Sequence, residues 1–222
     1  LDILMPRTSQ RPFATGFFKP DSHWLFIFFA LLIISLLLAA LYLNIATAIY
    51  LLLGAIFYGY VYTVVLKRSS IYNIVIGGLA GSFAVLAGSA AVNPMLSVPA
   101  IILSLILFLW TPPHFWALAV HRAKDYARAE IPMLPVTHGI EFTKTCIFLY
   151  TILLGVVCLM PFLIGMTGMI YLVGVTALNA IFLAYAWKLK YAPNKKTAFN
   201  MFAFSIWHLM LLFVILLVDH YV

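Results

Sequence analysis

The chain has 222 residues, of which 65% are hydrophobic and only 9% are charged. Soluble domains carry roughly 25% charged residues, and no single soluble core can bury this much apolar surface, so a soluble domain is excluded. Several apolar runs reach the roughly 20 residues that cross a bilayer as a helix. The composition therefore predicts an all-α polytopic membrane protein.

Hydropathy places seven membrane helices, with the bounds 23–43, 46–66, 71–92, 97–120, 144–165, 168–188 and 198–218. The net charge is +7, and all 13 Lys and Arg residues fall before the first helix or in every second connection. The positive-inside rule makes that side cytoplasmic, or the matrix side in a mitochondrion. Because topology explains the basic excess, nucleic acid is not expected as a partner.

Residues 1–22 form a polar approach to the first helix and begin LDILMPRTSQRP. Arg7 and Arg11 in this stretch have two interpretations. One is a solvated loop. The other is an anion site, because the planar guanidinium fork suits phosphate oxygens.

The third helix carries a G-x-x-x-G pattern, Gly77 and Gly81, which Ala84 and Gly88 extend at helical spacing. Such stripes let helix backbones approach closely in lipid. Close packing is the favoured interpretation, and a cavity wall that admits a bulky ligand is the alternative. Asn73, near the cytoplasmic end of this helix, fits either.

Chemistry is concentrated in the fourth helix and the loop after it. Pro112 and Pro113 predict a kink or a break, and His114 is a functional candidate because ionisable residues at membrane depth are expensive. A structural hydrogen bond is the alternative role for His114. If the helix resumes, His114, Leu118, His121 and Asp125 share one face, with Asp125 about 16 Å nearer the cytoplasm than His114.

The loop at 121–143 alternates acidic and basic residues. It is either a solvated connection or a site for a magnesium diphosphate, since Mg²⁺ takes carboxylate oxygens together with substrate phosphates and cations stabilise a departing anion. In the last helix, the apolar surroundings of His208 favour a packed or polar-paired side chain over a second ligand deep in the membrane.

The run WTPPHFWALAVHRAKDYARAEIPMLPVTHG (110–139) resembles the signature of the heme O synthase (protoheme IX farnesyltransferase) family, which are intramembrane prenyltransferases of the UbiA type. YNIVIGGLAGS (72–82) and AFSIWHLMLLFVILLVD (203–219) continue the resemblance, and LDILMPRTSQRP is similar to the end of the family's first acidic motif, N-x-x-x-D-x-x-x-D. The resemblance implies one prenyltransferase domain over 1–222 that holds seven helices of a nine-helix bundle. Residues 1–22 would then be the remnant of the first acidic loop, and 121–143 the second.

The resemblance also implies the reaction. A farnesyl group would pass from farnesyl diphosphate to a vinyl group of heme B with addition of water, giving heme O for heme A biosynthesis and cytochrome oxidase maturation. Mg²⁺ would be the cofactor. The enzyme would lie in the bacterial plasma membrane or the mitochondrial inner membrane, and the candidate protein partners are heme A synthase and oxidase assembly proteins.

Site residues carry over by position. The catalytic candidates are Asp2, Asp125 and His114, with both acids as metal ligands and His114 as the heme-binding residue. The cavity candidates are Asn73, Gly77 and Gly81. The diphosphate-binding candidates are Arg7, Arg11, Lys67, Arg68, Arg122 and Lys124.

Two departures from the family pattern matter. The Asn and the first Asp of the first motif would precede Leu1, so we expect the 222-residue chain to be inactive alone. The second departure is Ala129, which stands where the wider superfamily has an acid. The adjacent Glu130 would point about 100° away from that position around a helix. This direction argues against a metal role for Glu130.

Two other functions stay open. A sister prenyltransferase would act on a quinone precursor or chlorophyllide, although the W-T-P-P-H-F run argues against it. A heme transporter or assembly scaffold would usually show internal repeats with broken helices in both halves, and only one helix here carries a proline pair.

Overall fold

The computed structural model describes residues 8–19, 21–194 and 196–222, and it contains seven helices long and apolar enough to cross a membrane. The bounds are α1 Ser22–Tyr42, α2 Ile45–Ser69, α3 Asn73–Val92, α4 Val98–His121, α5 Ile140–Leu163, α6 Met169–Tyr191 and α7 Thr197–Tyr221. The seven predicted spans are confirmed. The largest shift is at α5, which begins four residues earlier than expected, at Ile140.

The helix α4 is the centre of the bundle. It packs against α3, α5 and α7, and the contacts of α5 with α6 and of α6 with α7 close a four-helix ring. The helices α3, α2 and α1 extend from α4 in a row, each packed on the next. More than half of the α4 window is buried, against 6% for α1, so α4 is where a site inside the protein can be built.

The helix α2 is wound unusually. Its first part, Ile45–Ala55, is α-helical, Ile56–Leu66 is π-helical, and Lys67–Ser69 closes the span with an α-helical turn. The wider winding changes which side chains face the neighbours, and π-helical segments often occur at functional sites. Here it carries Tyr58 and Tyr62, which both line the cleft described below.

Of the kink or break predicted at Pro112 and Pro113, the break does not occur, because α4 runs without interruption from Val98 to His121. Proline removes a backbone donor, yet packing can hold such a helix together. Both prolines are buried, and contacts on either side of them fasten α4 to α7: the Trp110 indole donates to the Ser205 carbonyl at 2.9 Å, and His114 Nδ1 lies 2.6 Å from Ser205 Oγ.

The predicted face from His114 to Asp125 is only half correct. His114 and Leu118 do line the same cleft. The helix ends at His121, and Arg122 has φ −111° and ψ 23°, so a separate short helix, Ala123–Arg128, carries Asp125 in a new direction. The helical spacing counted from His114 to Asp125 therefore does not place these two side chains on one face.

The small residues of α3 divide into two pairs. A Cβ added to Gly77 would come within 2.6 Å of the Tyr62 ring, and one added to Gly81 within 3.2 Å of Leu107. Those two glycines permit close packing, as the favoured interpretation held, and they also border a cavity. Gly88 faces open space and Ala84 is exposed, so they do not extend the packed stripe.

Two polar contacts join α6 and α7. His208 is buried, and its Nε2 lies 2.9 Å from Asn179 Oδ1 on α6, which confirms the polar-paired interpretation. Asp219, near the end of α7, accepts hydrogen bonds from the backbone N–H groups of Gly168 and Tyr171 and so caps the start of α6. The Asp219 contacts lie at one end of the bundle. The basic residues lie at the other end, which we call the basic end.

Lys144 lies in α5 near the basic end. Its side chain is buried, and its Nζ donates to Glu141 Oε1 at 2.7 Å. A buried ammonium needs such a partner, so this pair belongs to the packing of α5 rather than to an exposed loop.

Candidate functional site

A cleft of about 360 Å³ opens at the basic end between α2, α3, α4, the loop after α4, α7 and the arm before α1. Its polar lining residues are Thr8, Arg11, Tyr58, Tyr62, Lys67, Asn73, His114 and Tyr126. Its apolar lining residues are Ile74, Phe115, Leu118, Ile131, Met133 and Phe202. The lining is therefore mixed: it combines cationic and other polar side chains with apolar and aromatic ones.

The cationic rim of the cleft consists of Arg11, from the arm before α1, and Lys67, from the last turn of α2. Both were predicted to bind diphosphate, and they are about 56 positions apart in sequence but line one opening. Among the described residues, Lys67 has no ion-pair partner. Such a rim attracts anionic ligands, because guanidinium and ammonium groups both donate charge-assisted hydrogen bonds to phosphate oxygens.

His114 lies deeper on the α4 wall and is 8% exposed. Seven residues separate it from the end of α4, which corresponds to about 10 Å along the helix axis. Aromatic rings enclose it: Trp110 stacks on it with centroids 4.2 Å apart, and Phe202 and Phe115 lie at 4.7 and 4.9 Å. The imidazole ring is therefore held in one orientation, and it borders the cleft.

The contacts of Ser205 fix which nitrogen of His114 carries the hydrogen. The Ser205 hydroxyl donates to the Phe202 carbonyl at 2.6 Å, and its Oγ is also 2.6 Å from His114 Nδ1. A hydroxyl has one hydrogen, so Nδ1 must be the donor in the second contact. A neutral ring then keeps its lone pair on Nε2, the nitrogen that can bind a metal or accept a proton.

Asp125 lies beside the cleft rather than in its wall. Its carboxylate is 3.4 Å from the Arg122 guanidinium, and the two side chains are 20% and 41% exposed. Charge-assisted bonds are usually 2.7–2.9 Å long, and exposed ion pairs contribute little, so this pair holds Asp125 only weakly. The next residue, Tyr126, does line the cleft.

The remaining predicted site residues are not brought to the cleft wall. Arg68 and Lys124 are exposed and line none of it. Glu130 is exposed in a left-handed turn with φ 54°, after the short helix has ended, so the helical angle assumed for it does not apply. Asp2 and Arg7 lie outside the described residues.

Two apolar cavities of about 160 and 400 Å³ adjoin the cleft through Tyr58 and Phe115, which line all three spaces. Gly77 and Thr111 border both of these cavities, and Gly81 borders the larger. The cleft thus continues from a cationic mouth into apolar space between α2, α3 and α4, a shape that suits a ligand with an anionic head and a long hydrocarbon chain.

Sequence reasoning missed Tyr58, Tyr62, Tyr126 and Ser205. Ser205 is 91 positions from His114, so no local spacing could have joined them. The tyrosines of α2 face the cleft because of π-helical winding, which a period of 3.6 residues does not describe. For Tyr126 a signal existed, since it directly follows the only acid of the short helix.

The comparisons with known proteins agree with this geometry. The sequence profile of the UbiA prenyltransferase family matches residues 1–213. The chain belongs to the UbiA prenyltransferase family. It is 64% identical over all 222 residues to a protoheme IX farnesyltransferase of Idiomarina loihiensis, covering 74% of that protein, and 55% identical to protoheme IX farnesyltransferase 2 of Pseudoalteromonas atlantica, covering 72%.

The fold of this UbiA-family chain is also found in a solved structure. A digeranylgeranylglyceryl phosphate synthase matches with a TM-score of 0.79 over 96% of this chain and 75% of the other. The identity is 22%, so this likeness concerns the arrangement of helices alone. The bundle therefore has the same helical fold as that protein.

Proposed function

We propose that this protein transfers the farnesyl group of farnesyl diphosphate to a vinyl group of heme B, with addition of water, and so produces heme O. The observation that carries the proposal is the cleft, where a cationic rim of Arg11 and Lys67 lies above a histidine fixed in an aromatic enclosure. The names of the full-length relatives, at 64% and 55% identity, support the same reaction.

The rim would bind the diphosphate. Arg11 and Lys67 line the cleft, and Arg7, Arg68, Arg122 and Lys124 are the further basic candidates. Opposite charges about 4 Å apart attract by about 4 kcal/mol at an effective dielectric of 20 before desolvation. Several such contacts would lower the barrier to breaking the C–O bond of the diphosphate ester, because its charge grows as it departs.

Asp125 and Asp2 are the residues that would hold Mg²⁺. Mg²⁺ is usually bound by one or two carboxylates together with substrate phosphates. The weak contact of Asp125 with Arg122 leaves that carboxylate available. When bound, Mg²⁺ would neutralise charge on the leaving diphosphate.

The apolar part of the cleft would hold the two organic groups. The apolar cavities beyond Tyr58 and Phe115 suit the farnesyl chain. They would also keep water away from the allylic cation that forms when the diphosphate leaves. His114 would orient heme B, because Nδ1 is engaged by Ser205 and Nε2 remains for the heme iron or for a proton. With the basic end cytoplasmic by the positive-inside rule, the proposed location is the bacterial plasma membrane, and heme O would be delivered there to heme A synthase or oxidase assembly proteins.

Product analysis tests the proposal. The full-length protein in lipid vesicles receives heme B, farnesyl diphosphate and Mg²⁺, and the heme fraction is analysed by mass spectrometry. We expect a new heme that has gained one farnesyl group and one water molecule, and none when EDTA replaces Mg²⁺. A prenylated quinone precursor, formed when one is supplied instead, would favour the sister enzyme, and binding of heme without any covalent product would favour a transporter or scaffold.

A further inference from the structure

Asn73 is the first residue of α3, and its side chain is 1% exposed. Five buried side-chain nitrogen or oxygen atoms in the described part of the chain lack a hydrogen-bond partner, and only one of them, Asn73 Oδ1, belongs to a residue that lines the cleft. Buried acceptors are nearly always paired, and an unpaired one costs free energy. A donor bound in the cleft would satisfy this oxygen, since the described part of the chain supplies none.

Asn73 lines the same cleft as Lys67 and His114. It begins α3 at the basic end, six positions after Lys67, while His114 lies about two turns down α4. The adjacent Ile74 lines the cleft too and is packed into the core. Asn73 therefore borders the space that both proposed substrates would share, where their reacting carbons would meet.

We propose that Asn73 positions the water molecule that completes the reaction, an inference that rests on the proposed function. Bond breaking between C1 of the farnesyl group and its diphosphate oxygen leaves an allylic cation. The vinyl terminal carbon of heme B then forms a C–C bond to C1, and the positive charge moves to the vinyl carbon next to the porphyrin ring. Water forms a C–O bond there and loses one proton to the diphosphate, so that one hydroxyl group is gained.

The chemistry of the amide suits this task. Oδ1 accepts a hydrogen bond from water and so directs a water lone pair, without itself taking the proton. A carboxylate or imidazole close to the cation would compete as a base and remove a proton from carbon, which gives an alkene and no hydroxyl. In His114, Nδ1 is engaged by Ser205, and Nε2 would be engaged by heme B under the proposed function.

The ratio of two products measures this role. Asn73→Leu keeps a similar volume but has no acceptor, and we expect the fraction of farnesylated heme that lacks the hydroxyl, lighter by one water molecule, to rise about tenfold, as for the loss of one hydrogen bond. Asn73→Gln keeps an amide acceptor oxygen that does not take a proton and should still give mainly the hydroxylated heme. The matched control is Asn200→Leu, which changes an exposed asparagine on α7 outside the cleft lining.

The experiment uses the full-length protein in vesicles with heme B, farnesyl diphosphate and Mg²⁺, and the two hemes are quantified by mass spectrometry. If Asn73→Leu does not accumulate in the membrane, Asn73→Ala carries the same test. An unchanged product ratio in either variant would overturn the inference, as would an equal shift in Asn200→Leu. If the wild-type protein forms no farnesylated heme of either kind, the proposed function itself fails, which is a distinguishable result.

Discussion

Replacing Asp125 with alanine is expected to abolish most of the Mg²⁺-dependent turnover, lowering kcat about 100- to 1,000-fold, while the protein still inserts into the membrane. The size of the loss follows from removing a group that stabilises charge on the leaving diphosphate. Folding should survive because the side chain is partly exposed and makes only one weak ion pair, 3.4 Å from Arg122. Steady-state turnover at several Mg²⁺ concentrations measures the effect.

Glu130→Gln is the matched control for Asp125→Ala. Glu130 belongs to the same loop, is exposed and does not line the cleft, so its loss of charge should leave kcat within about twofold of wild type, as for most exposed surface changes. If Asp125→Ala keeps wild-type turnover, the carboxylate is not a metal ligand. If both variants lose activity equally, the loop needs its overall charge rather than this particular acid.

Replacing His114 with phenylalanine is expected to weaken heme B binding at least tenfold and to lower turnover about 100-fold. The ring of phenylalanine fits among Trp110, Phe115 and Phe202 but supplies neither a donor to Ser205 nor a lone pair to the heme. A substrate displaced by about 1 Å typically loses about 100-fold in rate. Heme binding is read from the absorbance change on titration of the full-length protein with heme B.

His121→Phe provides the comparison for His114→Phe. His121 ends the same helix, is exposed, contacts Phe199 and does not line the cleft. We expect it to bind heme B with wild-type affinity. Wild-type heme affinity in His114→Phe would remove this histidine from the heme site, and equal losses in both variants would point to damage to α4 instead.

The membrane helices could be predicted because length and hydropathy determine them almost alone. Each of the seven predicted spans matches a helix to within about four residues, including the proline-containing α4. The span 97–120 was predicted to run through both prolines, although proline chemistry favours a kink or a break. What keeps the helix whole is a set of tertiary contacts on both sides of the prolines, made by Trp110 and His114 with Ser205.

The site could be predicted only in part, for a related reason. Arg11, Lys67, Asn73 and His114 stood out by residue type and depth, and the fold brings them to one cleft. The turn at Arg122 moved Asp125 off the α4 face, because a periodicity argument assumes an uninterrupted helix. The orientation of His114 depends on a serine from another helix, and only the three-dimensional packing shows that pair.

Acceptor competition is the most direct test of the central claim, which is that the cleft transfers farnesyl to heme. Vesicles containing the full-length protein receive Mg²⁺, tritiated farnesyl diphosphate, and equal concentrations of heme B, an aromatic quinone precursor and chlorophyllide, and the label in each fraction is counted. We expect nearly all transferred label in a heme that has gained farnesyl and a hydroxyl group, and its loss in His114→Phe. Label in the quinone or chlorophyllide fraction, or transfer to heme that is unaffected by His114→Phe, would contradict the assignment of this cleft to heme farnesylation.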